Sequence, residues 1–139
     1  MDMAKLVASW SKDTNSKVGA VVVDKDKIVL SMGYNGFPRG CDDTIEERFE
    51  RPHKYLFTEH AERNALFHAA RHGMSLKGCI IYCTHFPCAD CARGIIQTGI
   101  VELIVIDHPD LTHHIWGGSW SASLKMFKES NINIVYLGS

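Results

Sequence analysis

Three short apolar runs constrain this chain more than anything else in it: Ile80-Ile81-Tyr82, Leu103-Ile104-Val105-Ile106 and Ile134-Val135-Tyr136. None alternates with polar residues, so each predicts a strand buried on both faces. Helical patterns separate them. One opens at Pro87 and stops at Gly99; the other spans residues 119–129, with Trp120, Leu124 and Phe127 on one face. Strands joined through helices and covered on both faces pair in parallel. Upstream, the β-branched run at residues 18–23, the polar turn Asp24-Lys25-Asp26-Lys27 and a second strand at 28–32 predict a hairpin. Met3, Leu6, Val7 and Trp10 share the spacing of one helical face. A further helix is expected over residues 60–72, with Thr58 as N-cap, Ala61, Ala65, Leu66 and Ala69 in its apolar stripe, and Gly73 as its stop. The order α-β-β-α-β-α-β-α-β predicts an α/β fold: a three-layer α/β/α sandwich around a mixed five-stranded sheet, its last two strands parallel. The 139 residues form one domain.

Composition narrows the function. Fifteen basic and sixteen acidic residues leave a net charge of −1, without the basic surface that grips a nucleic-acid polymer. No apolar run reaches the ~20 residues of a membrane span. The opening residues lack the apolar core and cleavage site of a signal peptide, so a cytoplasmic location is expected. The five cysteines, Cys41, Cys79, Cys83, Cys88 and Cys91, are an odd number. In a reducing compartment they suit core packing, metal binding or nucleophilic chemistry better than a disulfide scaffold.

Two motifs carry chemistry: His60-Ala61-Glu62 and Pro87-Cys88-Ala89-Asp90-Cys91. Cys88 and Cys91 lie three apart on a helix and share a face. His60 and Glu62 would diverge within a helix and converge only beyond its end. The pattern therefore aims two helix N-termini at one point. Helix N-termini lower thiol pKa values, and two thiolates with a neutral imidazole make a good zinc site. Three protein ligands leave a fourth position for water, and Glu62 stands beside a ligand as a proton carrier. Other readings exist. Cys88-x-x-Cys91 after a strand also fits a thioredoxin-like redox pair, and Cys83, His85 or Cys41 would close a structural zinc site.

Together the motifs match the H-x-E…P-C-x-x-C signature of zinc deaminases. The chain resembles the cytidine deaminase-like superfamily, and within it the deoxycytidylate (dCMP) deaminase branch. The likeness also rests on Ser11-Lys12-Asp13 leading into Val18-Gly19-Ala20, on the loop Gly33-Tyr34-Asn35-Gly36-Phe37-Pro38-Arg39-Gly40, and on Ile95-Ile96-Gln97-Thr98-Gly99-Ile100. The resemblance implies zinc (Zn2+) held by His60, Cys88 and Cys91, with Glu62 shuttling protons while water replaces the amino group of dCMP to give dUMP and ammonia. It implies that Asn35 binds the sugar hydroxyl and that the Ala61 amide binds the ring carbonyl. Carbonyls of the turn at residues 84–87 accept from the amino group. Ser11 and Lys12 are candidates for the phosphate.

Many members of the branch are hexamers that dCTP activates and dTTP inhibits. The resemblance therefore implies a homo-oligomer, and makes Asn35, Gly36, Phe37, Pro38, Arg39 and Gly40 a candidate allosteric loop. Trp116 is a candidate stacking residue for the base. Arg48, Arg51 and Lys54 form a basic cluster, read either as a solvated face or as a nucleotide contact. Residues 107–118 depart from the family pattern, which keeps a 5-modified dCMP open as substrate.

Overall fold

The hairpin forms where the β-branched run and polar turn place it. In the computed structural model, which describes residues 1–138, β1 (Gly19–Val23) pairs antiparallel with β2 (Val29–Tyr34). β1 also pairs antiparallel with β3 (Ile80–Cys83). The three doubly apolar runs become β3, β4 (Glu102–Val105) and β5 (Asn133–Tyr136), paired in parallel. The sheet order is β2-β1-β3-β4-β5. β4 is buried at three of its four residues. β5 is the sheet edge and stays half-exposed, which is where the expectation of burial on both faces gives way.

The helices are α1 (Asp2–Ala8), α2 (Lys54–Phe57), α3 (Ala61–Arg71), α4 (Ala89–Gln97) and α5 (Gly117–Glu129), with a 3-10 turn at Glu46–Phe49. Right-handed crossovers from β3 to β4 and from β4 to β5 put α4 and α5 on one face of the sheet. There they join α3 over Ala20, Val22, Ile81, Cys83, Leu103 and Val105. Phe127, Ile81, Ile95 and Leu103 are fully buried in this layer, each stabilising the fold by about 1.5–3 kcal/mol. α1 lies on the opposite face, over Val21 and Val23.

α1 turns a different side inward from the one its spacing predicts. Ala4, Val7 and Ala8 are buried, whereas Met3, Leu6 and Trp10 are 40%, 58% and 47% exposed. The cause is a close approach of backbones. A Cβ at Gly19 would lie 2.1 Å from the Ala4 carbonyl oxygen and 2.7 Å from the Ala8 nitrogen. No large side chain fits between helix and strand there.

This topology brings the chemistry to one edge. β1 starts, and β2 to β5 end, around the C-terminal ends of the parallel strands. α3, α4 and α5 all begin at that edge before running back along the sheet. Ligands of open α/β sheets bind at such an edge.

Candidate active site

α3 begins one residue after His60, which is its N-cap in extended conformation (φ −74°, ψ 152°). Thr58, the expected cap, lies two residues earlier. It is displaced because Gly36 and Glu59 form an antiparallel bridge that keeps the chain extended up to His60. Glu62 falls in the first turn and is buried. α4 starts the same way, with Cys88 as its N-cap (φ −69°, ψ 171°) and Cys91 in its first turn. Extended cap residues let His60 and Cys88 swing out of their helices toward each other.

His60 Nδ1 lies 3.3 Å from Cys88 Sγ and 3.4 Å from Cys91 Sγ. The three donor atoms sit within 4.8 Å of one another. Around a tetrahedral zinc, N and S donors are about 3.6 Å apart, so the donor set fits the metal in number, type and spacing. Among the described residues neither Cys41, Cys83 nor His85 joins the group, which leaves the site open rather than closed by a fourth side chain.

The electrostatics follow from burial and from the cysteine pair. Cys88 is lowered to about 4, through the hydrogen bond with Cys91 and then His60. Cys91 is raised, because its thiol serves as partner to the Cys88 thiolate. The same Cys88 contact raises His60. Glu62 is raised by desolvation, with His60 acting against that. Cys83, fully buried behind the site, is pushed well above the ordinary thiol range by burial.

His60, Glu62 and Cys88 open onto a cavity of about 530 Å³, the size of a small-molecule site. Ala61, Asn35 and Trp116 all line it. The Ala61 amide is among the first of α3, so it has no acceptor inside the helix. Asn35 is buried; its Oδ1 accepts from the Val18 N–H at 2.9 Å and its Nδ2 donates to the Ser16 carbonyl at 2.8 Å. One Nδ2 hydrogen remains for a ligand. Trp116 meets His60 edge-on at 6.1 Å and Tyr55 at 6.2 Å.

Ser11 and Lys12 stand elsewhere. The Ser11 hydroxyl is buried and donates to the Asn35 carbonyl at 2.8 Å. Lys12 is exposed and paired with Asp43 at 2.6 Å. It lines an adjoining pocket of about 180 Å³ with Gly36 and Phe37. In the loop at residues 35–40, Gly36 is bonded to Glu59 and Phe37 stacks on Phe49 at 4.5 Å, while Pro38, Arg39 and Gly40 are exposed.

The basic cluster divides. Arg48 sits over the Phe57 ring at 4.5 Å. Lys54 is buried against Asp13 at 3.0 Å. Arg51 lines the cavity and has no acidic partner among the described residues. Sequence reasoning missed the Lys54–Asp13 pair. It also missed Glu59, whose Oε1 accepts from the His60 amide at 3.1 Å and from Arg63 Nε at 2.7 Å. Only the charge four residues before Arg63 hinted at that second contact.

Residues 1–107 match the family model of the cytidine and deoxycytidylate deaminase zinc-binding region. The chain belongs to this family. It is 43% identical over 135 residues to an uncharacterized deaminase of Aliivibrio fischeri, covering 97% of this chain and 88% of that protein. It is 41% identical over 111 residues to human deoxycytidylate deaminase, covering 75% of this chain and 60% of the human one. The chain thus spans less than two thirds of the human relative's length. Among solved structures it resembles the dCMP deaminase of cyanophage S-TIM5 in complex with dCMP and dUMP. The TM-score is 0.77 and the identity 28%, covering 97% of this chain and 91% of that one. The mixed sheet with parallel β3, β4 and β5 is the fold of these neighbours.

Proposed function

We propose that the protein is a zinc-dependent deaminase that converts dCMP and water to dUMP and ammonia. One observation carries this reading: a buried carboxylate, Glu62, beside a His60–Cys88–Cys91 donor set on the wall of a nucleotide-sized cavity. Family membership and the substrates named for the human and cyanophage relatives support the pyrimidine nucleotide class.

His60, Cys88 and Cys91 would hold the zinc, which when bound lowers the pKa of water toward ~7 and supplies hydroxide at neutral pH. Glu62 accepts one proton of the water and delivers it to ring N3. As the C4–N bond breaks and the carbonyl forms, it takes the second proton from the oxygen now on C4 and delivers it to the amino group, which leaves as ammonia; its raised pKa suits both directions. The Ala61 amide donates to the ring carbonyl. The free Nδ2 hydrogen of Asn35 reaches the sugar hydroxyl. The Phe86 carbonyl already accepts from Trp120, so the amino group falls to the other carbonyls of the turn. Trp116, on the cavity wall, is the candidate for stacking on the base. The phosphate lies at the cationic side of the cavity, near Arg51. Lys12 acts from the adjoining pocket, and Ser11 acts through the Asn35 backbone.

The enzyme works inside a homo-oligomer. Supporting this, Met3 and Leu6 of α1, Trp10 just beyond it, and Met32 and Tyr34 of the edge strand β2 are all exposed apolar residues. The loop Asn35-Gly36-Phe37-Pro38-Arg39-Gly40 is the candidate site for dCTP and dTTP as effectors. No helix among the described residues is long and apolar enough to cross a membrane.

The test is ammonia release by zinc-loaded protein on dCMP, CMP, deoxycytidine, dCTP and 5-methyl-dCMP, each with and without dCTP or dTTP. Selective turnover of dCMP is expected. Turnover of the 5-methyl compound alone would move the reading to a modified substrate. No turnover with zinc verified would overturn it.

A further inference from the structure

One turn of α5, a helix that supplies no metal donor, touches both halves of the metal group. The Ser119 hydroxyl accepts from the Ala89 N–H at 2.7 Å, and the Trp120 indole Nε1–H donates to the Phe86 carbonyl at 3.1 Å. These two bonds fall on either side of Pro87 and Cys88. Trp116, the N-cap of α5, packs its ring edge-on against His60.

The need for outside restraint is physical. An ordinary N-cap side chain accepts an orphan amide of its own helix, but the Cys88 sulfur is turned toward His60 and Cys91. The first amide of α4, that of Ala89, has no acceptor inside its own helix and takes one from α5. Ser119 and Trp120 also lie beyond the family-matched segment, which ends at residue 107, and follow the stretch that departs from the family pattern.

We propose that the first turn of α5 is a clamp on the cysteine turn, with Ser119 and Trp120 as positioning residues that set where Cys88 presents its thiolate. The proposal rests on the zinc reading above. Hydrogen-bonded partners behind metal ligands typically change metal affinity or activity 10–100-fold when removed.

The experiment compares zinc-loaded native protein with S119A, S119T, W120F and S123A. Ser123 is a control on the same helix: it is fully buried and donates to the Ser119 carbonyl at 3.1 Å, but has no bond to the cysteine turn. Zinc transfer to a colorimetric chelator, the thiolate charge-transfer bands of the cobalt-substituted protein, and kcat and KM are read for each. S119A and W120F are expected to release zinc about tenfold faster, to shift the cobalt bands, and to lower kcat with KM nearly unchanged. S119T should restore the native values, and S123A should keep them. Native release rates and cobalt spectra in S119A and W120F would overturn the clamp, as would equally fast release from S123A. Native protein that retains no zinc after reconstitution overturns the metal reading itself, and is distinguished by the absence of cobalt bands in every sample.

Discussion

The two helix starts that meet at the site are held in different ways. The α3 start is restrained by its own neighbourhood. Glu59 accepts from the amide of the next residue, Gly36 bridges to Glu59, and β2 presses Gly33 under Ala61, where a Cβ would lie 2.4 Å from the Ala61 oxygen. The α4 start borrows its restraint from α5, through bonds spanning 30 and 34 residues. A site built from two similar caps thus has the backbone of one half hydrogen-bonded within the family-matched segment and that of the other hydrogen-bonded from beyond it.

The largest effect should come from separating the chemical roles that the two starts carry. Glu62→Gln is expected to keep zinc and lose about 10²–10⁴ in kcat. Cys88→Ser should lose the metal, and with it all turnover. Metal analysis beside turnover of dCMP decides this; a fast Glu62→Gln enzyme would remove Glu62 from the mechanism.

Next in size is the ion pair beneath the loop that leads into α3. Asp13 and Lys54 side chains are only 6% and 10% exposed. Asp13→Asn leaves a buried ammonium without its charge partner and should cost about 3–5 kcal/mol in urea unfolding. Although burial opposes it, the Lys54 bond and the Asn15 and Ser16 amides hold Asp13 below the usual carboxylate range. The folded protein therefore sheds this proton more readily than the unfolded chain. Its contribution is fully present above the unfolded pKa of ~3.9 and disappears as pH falls through the lower folded value. Asp13→Asn should flatten the acid limb of the stability profile; an unchanged limb would remove the pair from acid stability.

Gly33→Ala sharpens the comparison from the α3 side. The added methyl has to push β2 away from the Ala61 backbone, an overpacking cost of about 1–3 kcal/mol. KM for dCMP should rise through Ala61 while zinc release stays native, the reverse of the pattern expected from S119A. Faster zinc release in Gly33→Ala would mean that the two starts are not held independently. The smallest effect belongs to Lys12→Ala. Its exposed bond to Asp43 should leave the melting temperature unchanged, so any rise in KM for dCMP over deoxycytidine reports phosphate binding alone.

Much of this was legible before any tertiary contact was known. His60, Glu62, Cys88 and Cys91 stood out because helix starts have local signals and metal donors a narrow chemistry. The parallel pairing of β3, β4 and β5 followed from apolar runs linked by helices. The inward side of α1 was misread because apolar spacing favours the large residues, while the backbone at Gly19 admits only small ones. The short α2 went unseen, since four residues carry no periodicity. Lys54 read as one charge of an exposed cluster because its partner lies 41 residues away.

By itself, then, the sequence determined which residues are the candidates for the chemistry and which strands form the sheet, since caps, periodicity and donor type are properties of neighbouring residues. Tertiary structure alone decided what holds those atoms in place. Ser119 on Ala89, Trp120 on Phe86 and Lys54 on Asp13 join residues tens of positions apart, and such bonds exist only once crossovers and packing have brought their elements to the same sheet edge.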